Sequence, residues 1–168
     1  MTDLALQVRF QVENLLARYV HALDDDRLEA WPGFFTATGR YRITTAENHA
    51  RGLPLCIVQA DSPAMMRDRI AALRHANIYE AQRYRHVVSS TLITRVADDM
   101  VEAVSNFQVA RIMHDGASTL FASGRYLDRI RLAACRTRSD ESDAGAVFED
   151  KLVLLDSRRI DTLLAIPL

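Results

Sequence analysis

The sequence predicts one domain, residues 1–168, of the α+β class, with N-terminal helices packed on one face of a strongly curved, cone-shaped antiparallel β-sheet. Apolar residues with helical spacing dominate the first part of the chain, and apolar–polar alternation dominates the part after residue 85. An Asp-Gly pair at residues 115–116 separates two long alternating runs, which is a strong hairpin signal. The 168 residues, 49% of them hydrophobic, suffice for one buried core.

The first helix is predicted from an apolar stripe that follows Thr2 or Asp3, either of which can cap a helix. The stripe consists of Leu4, Val8, Val12, Leu15, Leu16, Tyr19 and Leu23. Asp24, Asp25 and Asp26 interrupt it, and residues 27–35 are typical of a second, short helix that one of these aspartates caps. Aromatic side chains of the second helix are expected to close against the first: Trp31, Phe34 and Phe35.

A third helix is predicted after Ser62 and Pro63, because serine caps helix N-termini and proline suits the first helical position. Its apolar stripe is Met66, Ile70 and Leu73. Between the second and third helices we expect a strand, a loop and a further strand. Their bounds are 40–45 for the strand that Gly39 opens, 47–52 for the loop, and 55–59 for the second strand.

From residue 85 onward, alternating runs joined by short turns predict a series of β-hairpins. The expected turns lie at residues 98–99, 115–116 and 156–158. The expected strands begin near residue 85 and then cover 101–112, 119–132, 147–155 and 160–166. Residues 136–145 are polar and charged, so they predict an exposed loop.

Charge and composition argue against several partners. The net charge of −1 and the absence of a basic stripe disfavour nucleic acid. No apolar run is long enough to span a membrane, and the N-terminus lacks a basic leader, so a cytoplasmic location is expected. Cys56 and Cys135 are expected to be reduced, buried thiols.

Metal-binding and nucleophile motifs are missing from the sequence. The five histidines are scattered, with no short His-x-x-His or Asp-x-x-His pattern and none near either cysteine, so the motifs that hold iron or zinc are missing. No G-x-S-x-G elbow or phosphate-binding glycine loop occurs. We therefore expect no metal or cofactor on this chain.

His86 is the most interesting titratable residue, since it follows a basic connector that ends in Arg83 and Arg85. In a cone fold, an inward-facing His86 beside Asp24, Tyr19 or Tyr41 could act as a general acid/base pair. Alternatively, His86 and the nearby arginines hydrogen-bond to a neighbouring chain or a loop carbonyl. The connector is thus either an active-site wall or a docking surface.

The segment MMRDRIAALRHANIYEAQRYRHVVSS resembles the signature of the small (β) subunits of aromatic-ring-hydroxylating, Rieske-type dioxygenases. The residues that carry this resemblance are Met66, Asp68, Arg69, Ile70, Arg83, His86, Val88 and Ser89. The N-terminal LLARYVHALDDDRLEAWPGFFTATGRYRI, with Trp31 and Phe35, is similar to the opening of the family. The C-terminal EDKLVLLDSRRIDTLLAIPL, with its turn at residues 155–156, is similar to the final hairpin of the family.

The resemblance implies a fold like nuclear transport factor 2 and scytalone dehydratase. It also implies a non-catalytic subunit that trimerises within an (αβ)₃ complex and supports a larger α subunit. That α subunit would carry a Rieske [2Fe–2S] cluster and a mononuclear Fe(II), fed from NAD(P)H through a reductase, and would oxidise a benzoate-like aromatic carboxylate. On this interpretation the interface residues are Arg69, Arg83, Arg85 and His86. A stand-alone lyase, isomerase or cyclase that uses His86, Asp24 and Tyr41 stays open.

Overall fold

The fold begins with helices and ends with long strands, as the change of apolar period predicts. A computed structural model describes residues 3–76, 80–133, 145–159 and 164–168. The helices are α1 Asp3–Asp24, a 3-10 helix Leu28–Phe34, α2 Ala46–Ala50 and α3 Pro63–His75. The strands are β1 Phe35–Thr45, β2 Val58–Ala60, β3 Gln82–Ala97, β4 Met100–Met113, β5 Ser118–Arg131 and β6 Val147–Leu155.

The six strands form one curled mixed sheet in the order β2-β1-β6-β5-β4-β3. The predicted α+β class is confirmed, but the sheet is not wholly antiparallel, because β1 runs parallel to β6 with Tyr41 opposite Lys151. The other four pairings are antiparallel. Hairpin turns force antiparallel neighbours, whereas β1 and β6 are separated by most of the chain and are free of that constraint.

The predicted first helix is confirmed, and its apolar stripe packs into the core from Val8 to Leu23, whereas Leu4 is exposed. Thr2 and the side chain of Asp3, the two candidate caps, lie outside the described residues. The short second helix is of the 3-10 type and contains Pro32, which has no N–H to donate. Phe34 meets the ring of Tyr19 of α1 edge-on at 5.7 Å, which confirms the predicted closure against the first helix for this side chain. Trp31 packs edge-on against Tyr41 of β1 at 5.0 Å, and Phe35 is the first residue of β1.

The predicted cap of this 3-10 helix is wrong. Its N-cap residue is Arg27, and no side chain caps it. The aspartates before it have other partners, because Asp24 accepts hydrogen bonds from His86 and Asp26 accepts them from Arg74.

Three predictions between residues 35 and 60 need correction. Strand β1 begins at Phe35 rather than Arg40, and its pairing with β6 shifts register across Gly39. A Cβ on Gly39 would lie 2.7 Å from the Cβ of Phe35, so only glycine permits this irregularity. The loop expected over 47–52 is wrong, because Thr45 Oγ1 accepts the amide of Asn48 and caps helix α2. Strand β2 is shorter than expected.

The predicted hairpin turns at residues 98–99 and 115–116 are confirmed, with Asp98 and Gly116 at positive φ. Strand β6 has the predicted bounds. In the expected loop, residues 136–144 lie outside the described part of the chain, as does Cys135. Cys56 is a free thiol of intermediate exposure.

The predicted last strand, 160–166, is wrong where it can be described. Residues 160–163 lie outside the described part, and residues 164–168 are buried without strand pairing. Side chains rather than a neighbouring strand bind their main-chain groups, as the hydrogen bonds of Tyr19, Tyr41 and Arg69 show. None of the helices in the described ranges has the length and apolar character needed to cross a membrane.

Helix α3 is confirmed with its predicted cap, since Ser62 Oγ accepts the amide of Met65. Arg74 in its last turn ties it to the segment after α1. The Arg74 guanidinium donates to both carboxylate oxygens of Asp26 at 2.9 Å and to Glu29 at 2.8 Å. These carboxylates raise the pKa of Arg74 above its ordinary value, with Glu29 contributing most.

Replacing Arg74 with alanine is expected to lower the free energy of unfolding by about 1 kcal/mol, because a bidentate network is worth more than an isolated surface pair. Urea unfolding measures the change. Arg67→Ala on the exposed part of the same helix is the matched control. The role of Arg74 would be refuted by equal effects of the two replacements at low ionic strength.

Candidate functional site

The end of helix α1 and the first half of strand β3 meet at a buried histidine–aspartate pair. His86 Nδ1 lies 2.7 Å from Asp24 Oδ1, and the His86 amide donates to both oxygens of Asp24 at 3.2 and 3.1 Å. The two side chains are 0% and 3% exposed. One carboxylate therefore fixes both the main chain and the ring of His86, and it favours the tautomer with the proton on Nδ1.

The other ring nitrogen of His86, Nε2, is buried and has no hydrogen-bond partner among the described residues. An imidazole oriented by a carboxylate, with the opposite nitrogen free to accept, is the arrangement of a general acid/base pair. The structure thus brings together Asp24 and His86, as one of the two sequence hypotheses expects. It places the hydroxyls of Tyr19 and Tyr41 elsewhere, on the main chain of Leu168.

A polar groove of about 510 Å³ opens beside Asp24. Arg83, Arg85 and Ile166 contribute to its wall, whereas His86 does not line it. Arg85 is 58% exposed, and its Nη1 lies 3.5 Å from Asp24 Oδ2. Since Arg83 and Arg85 are two residues apart on β3, their side chains project from the same face of the sheet, and both are exposed. One edge of the groove therefore carries the guanidinium groups of Arg83 and Arg85, the carboxylates of Asp24, Asp25 and Asp26 also line it, and His86 is buried behind Asp24.

Arg69, the fourth residue that the resemblance assigns to an interface, lies apart from this groove edge. Its Nη2 donates to the main-chain oxygen of Leu164 at 3.0 Å, and its side chain is half-buried. Part of its hydrogen-bonding capacity is therefore used inside the chain.

A second buried charge pair was missed by sequence reasoning. Lys151 Nζ lies 3.2 and 3.3 Å from the two carboxylate oxygens of Asp128, and both side chains are 0% exposed. Three aromatic rings surround the ammonium. The distance from Lys151 Nζ to the ring centroid is 3.4 Å for Tyr126, 4.6 Å for Phe148 and 4.8 Å for Tyr19. Burial raises the pKa of Asp128 and lowers the pKa of Lys151. The only available signal was that Lys151 is the sole lysine of the chain and precedes an apolar run.

Potential metal ligands do not converge in the part of the chain that the structure covers. Among residues 3–76, 80–133, 145–159 and 164–168, no three histidine, cysteine, aspartate or glutamate side chains are placed to hold an ion.

Replacing Asp24 with alanine is expected to cost about 2 kcal/mol of unfolding free energy, because it leaves two buried donors of His86 without an acceptor. Asp25→Ala is the matched control, since Asp25 is exposed and pairs only with Arg27 at 3.3 Å among the described residues. We expect that control to stay within about 0.5 kcal/mol of the wild type. Equal urea midpoints for the two variants would contradict this assignment.

Comparison with known proteins gives consistent similarities over most of the chain. Residues 5–136 match the SnoaL-like domain family. The chain is 41% identical over 158 residues to subunit beta 1 of the terminal oxygenase component of terephthalate 1,2-dioxygenase from Comamonas sp, covering 94% of this chain and 97% of that protein. It is 38% identical over 159 residues to the small subunit of anthranilate 1,2-dioxygenase from Burkholderia cepacia, covering 95% and 93%.

A solved structure is similar over the whole length. It is a β subunit assigned to an aromatic-ring-hydroxylating dioxygenase of Novosphingobium aromaticivorans, with a TM-score of 0.85 and 32% identity. The alignment covers 99% of this chain and 100% of that chain.

Proposed function

Because this chain belongs to the SnoaL-like domain family and is a small (β) subunit of the aromatic-ring-hydroxylating dioxygenases, we propose that it is the non-catalytic, structural subunit of a cytoplasmic oxygenase. The observation that carries the proposal is the nearly full-length similarity to a protein that is itself one subunit of a terminal oxygenase component. This chain supports an iron-bearing large subunit, and the chemistry takes place on that partner.

The large subunit in this proposal carries a Rieske [2Fe–2S] cluster and a mononuclear Fe(II), and a reductase supplies electrons from NAD(P)H. The substrate is a benzoate-like aromatic carboxylate. Support for this class comes from two relatives whose names specify terephthalate and anthranilate, both of which are aromatic carboxylates.

The groove edge formed by Arg83 and Arg85 is the proposed contact with the large subunit. Both side chains are exposed on one face of β3, and a guanidinium can hold a partner carboxylate through two parallel hydrogen bonds. His86 is buried, so its part in the interface is to hold β3 in place through Asp24. Arg69 contributes in the same indirect way, through Leu164.

Three copies of this chain trimerise within an (αβ)₃ hexamer in the proposed assembly. Native mass spectrometry of the complex, purified after co-expression with the large subunit, tests this stoichiometry. We expect three copies of each chain and loss of whole αβ units at rising collision energy. A one-to-one dimer as the largest species would contradict the proposed trimer.

A second candidate function is a stand-alone lyase, isomerase or cyclase. The 2.7 Å contact between His86 Nδ1 and Asp24, together with the unpartnered Nε2, favours it. The burial of His86 behind the groove argues against it, because a substrate would need access to Nε2.

A further inference from the structure

Strand β3 has a neighbouring strand on one side only. It is the last strand in the order of the sheet, so the side that does not face β4 is a free edge among the described residues. The other edge strand, β2, has 3 residues, whereas β3 has 16. A long free edge presents a row of main-chain N–H and C=O groups, which is a template for another strand. The free edge of β3 is therefore the place where this sheet is open to pairing with another chain.

Asp24, the last residue of α1, lies directly on the free edge of β3. Its two carboxylate oxygens accept the main-chain amide of His86 at 3.2 and 3.1 Å, so this amide points away from β4. In an antiparallel pair the main-chain groups of every second residue point the same way, which places the amides of Tyr84 and Val88 on the free edge as well. Asp24 thus takes a main-chain donor that an added strand would use.

A groove opens along the free edge on each side of this contact. One groove has a volume of about 510 Å³ and is lined by residues 81–85, and the other has a volume of about 370 Å³ and is lined by residues 88–91 together with α1. The strand also carries apolar side chains that favour association, since Val87, Leu92 and Val96 are 55%, 62% and 53% exposed. Space and apolar surface for another strand are therefore present on β3, and Asp24 lies between the two grooves.

A second copy of β3 is compatible with this edge. Two β3 strands that pair antiparallel about His86 exchange main-chain hydrogen bonds between the two copies of that residue. In this register Arg83 of each copy faces Ser89 of the other, and Arg85 faces Val87, so no arginine lies opposite an arginine. Charge alone therefore does not prevent the pairing.

We propose that Asp24 shields the free edge of β3 and that, without its carboxylate, two copies of this chain pair through this edge. Asp24 ends α1, and helix ends fray, so opening of the last turn is enough to clear the edge. Such two-fold pairs differ from the three-fold contacts of the proposed assembly. The contact of Asp24 with His86 then has a role that needs no substrate, because it prevents self-association through β3.

Sedimentation velocity of the full-length Asp24→Ala chain over a range of concentrations tests the proposal. We expect species of at least twice the mass of the wild-type species, in a fraction that rises with concentration. Hydrogen exchange of the His86 amide, followed by NMR, should be faster than in the wild type at low concentration and should slow as the pairs form. Asp25→Ala is the matched control, since Asp25 is the next residue and is exposed, and this variant should sediment like the wild type.

Proline at position 88 distinguishes pairing through the free edge from association of a partly unfolded chain. Val88→Pro removes an amide of the free edge and leaves the hydrogen bonds to β4 in place, because proline is tolerated at the open side of an edge strand. Asp24→Ala combined with Val88→Pro should therefore return to the mass of the wild type. Val88→Ala keeps the amide, so combining it with Asp24→Ala should leave the association unchanged.

The proposal is overturned if Asp24→Ala sediments like the wild type at every concentration, or if proline and alanine at position 88 have the same effect. If Asp24→Ala does not fold, Asp24→Asn decides the matter, because it replaces one acceptor oxygen with an amide nitrogen that repels the N–H of His86. Equal masses and equal His86 exchange rates for Asp24→Asn and Asp25→Asn would then refute the role of Asp24.

Discussion

Replacing Asp128 with alanine is expected to lower the free energy of unfolding by about 3–5 kcal/mol, the largest effect of a single replacement that we predict on stability. The reason is that Lys151 would remain inside the sheet without the carboxylate that lies 3.2 Å from its ammonium. The three rings around Lys151 compensate only in part, since a cation–π contact is worth about 2 kcal/mol when desolvated. Urea unfolding at neutral pH measures the loss.

The double replacement Asp128→Leu with Lys151→Met distinguishes the effect of an unpaired buried charge from the effect of changing two buried side chains. Removing both partners eliminates the desolvation cost as well as the attraction, so the double variant should be close to the wild type or more stable. The exposed pair of Arg9 and Glu13 on α1 is the control, because removing either partner there should cost only about 0.5 kcal/mol. A double variant as unstable as Asp128→Ala would contradict this account of the pair.

The pH dependence of stability offers a check with a defined sign. Since burial raises the pKa of Asp128, this group favours the folded state below about pH 4, and that contribution is lost as the pH rises through its folded pKa. Since burial lowers the pKa of Lys151, this group favours the folded state above about pH 10.4, and that contribution is lost as the pH falls through its folded pKa. Relative to the double variant, the wild type should therefore be least stable in the interval between these limits.

Reversing two charges on the groove edge, Arg83→Glu with Arg85→Glu, is expected to weaken association with the large subunit about a hundredfold. The physical reason is that each reversal places a carboxylate where the partner is expected to present one. Titration of the purified large subunit by isothermal calorimetry or fluorescence anisotropy at two salt concentrations measures the change. The weakening should shrink at high salt, because screening reduces interactions between exposed charges.

The control for this experiment is Arg67→Glu, which makes the same charge change on the exposed side of helix α3. Arg85 lies 3.5 Å from Asp24, so reversing its charge brings a second carboxylate close to this one and could destabilise the fold. Thermal unfolding therefore has to show that the double variant is as stable as the wild type before its affinity is interpreted. Equal affinities for the double reversal and for Arg67→Glu would show that the large subunit docks elsewhere.

Local patterns predicted most of the elements. Helix α3 follows from Ser62 as its cap and from a stripe that the structure buries, Met66, Ile70 and Leu73. The alternation along β4 likewise identifies its buried face, and Gly116 identifies the following turn. These features depend on a few neighbouring residues, so a single sequence contains them.

Features that depend on distant parts of the chain could not be derived in this way. The parallel pairing of β1 with β6 and the contact of Asp128 with Lys151 join segments whose order in the sheet no short pattern specifies. The apolar residues near the C-terminal end predict a strand over 160–166, but the described residues 164–168 do not form one. Their actual conformation depends on Tyr19, Tyr41 and Arg69, far away in the sequence.

The candidate site could be predicted only in part from the sequence. Asp24 interrupts a helical stripe and His86 begins an alternating run, so the sequence marks both residues as unusual. Their 2.7 Å contact joins residues 62 positions apart, so it could be offered only as one of two hypotheses. The structure brings the two residues together, and the burial of His86, which does not line the groove, favours a positioning role over a catalytic one.

The most direct test of a structural, non-catalytic role is the turnover per iron of the assembled oxygenase carrying His86→Gln in this chain. The complex is purified after co-expression with the large subunit, its iron content is measured, and oxidation of an aromatic carboxylate is followed with the reductase and NAD(P)H. We predict the same turnover per iron as in the wild-type complex, even if less complex assembles. A large loss of turnover in a complex with full iron content and unchanged stoichiometry would contradict the account.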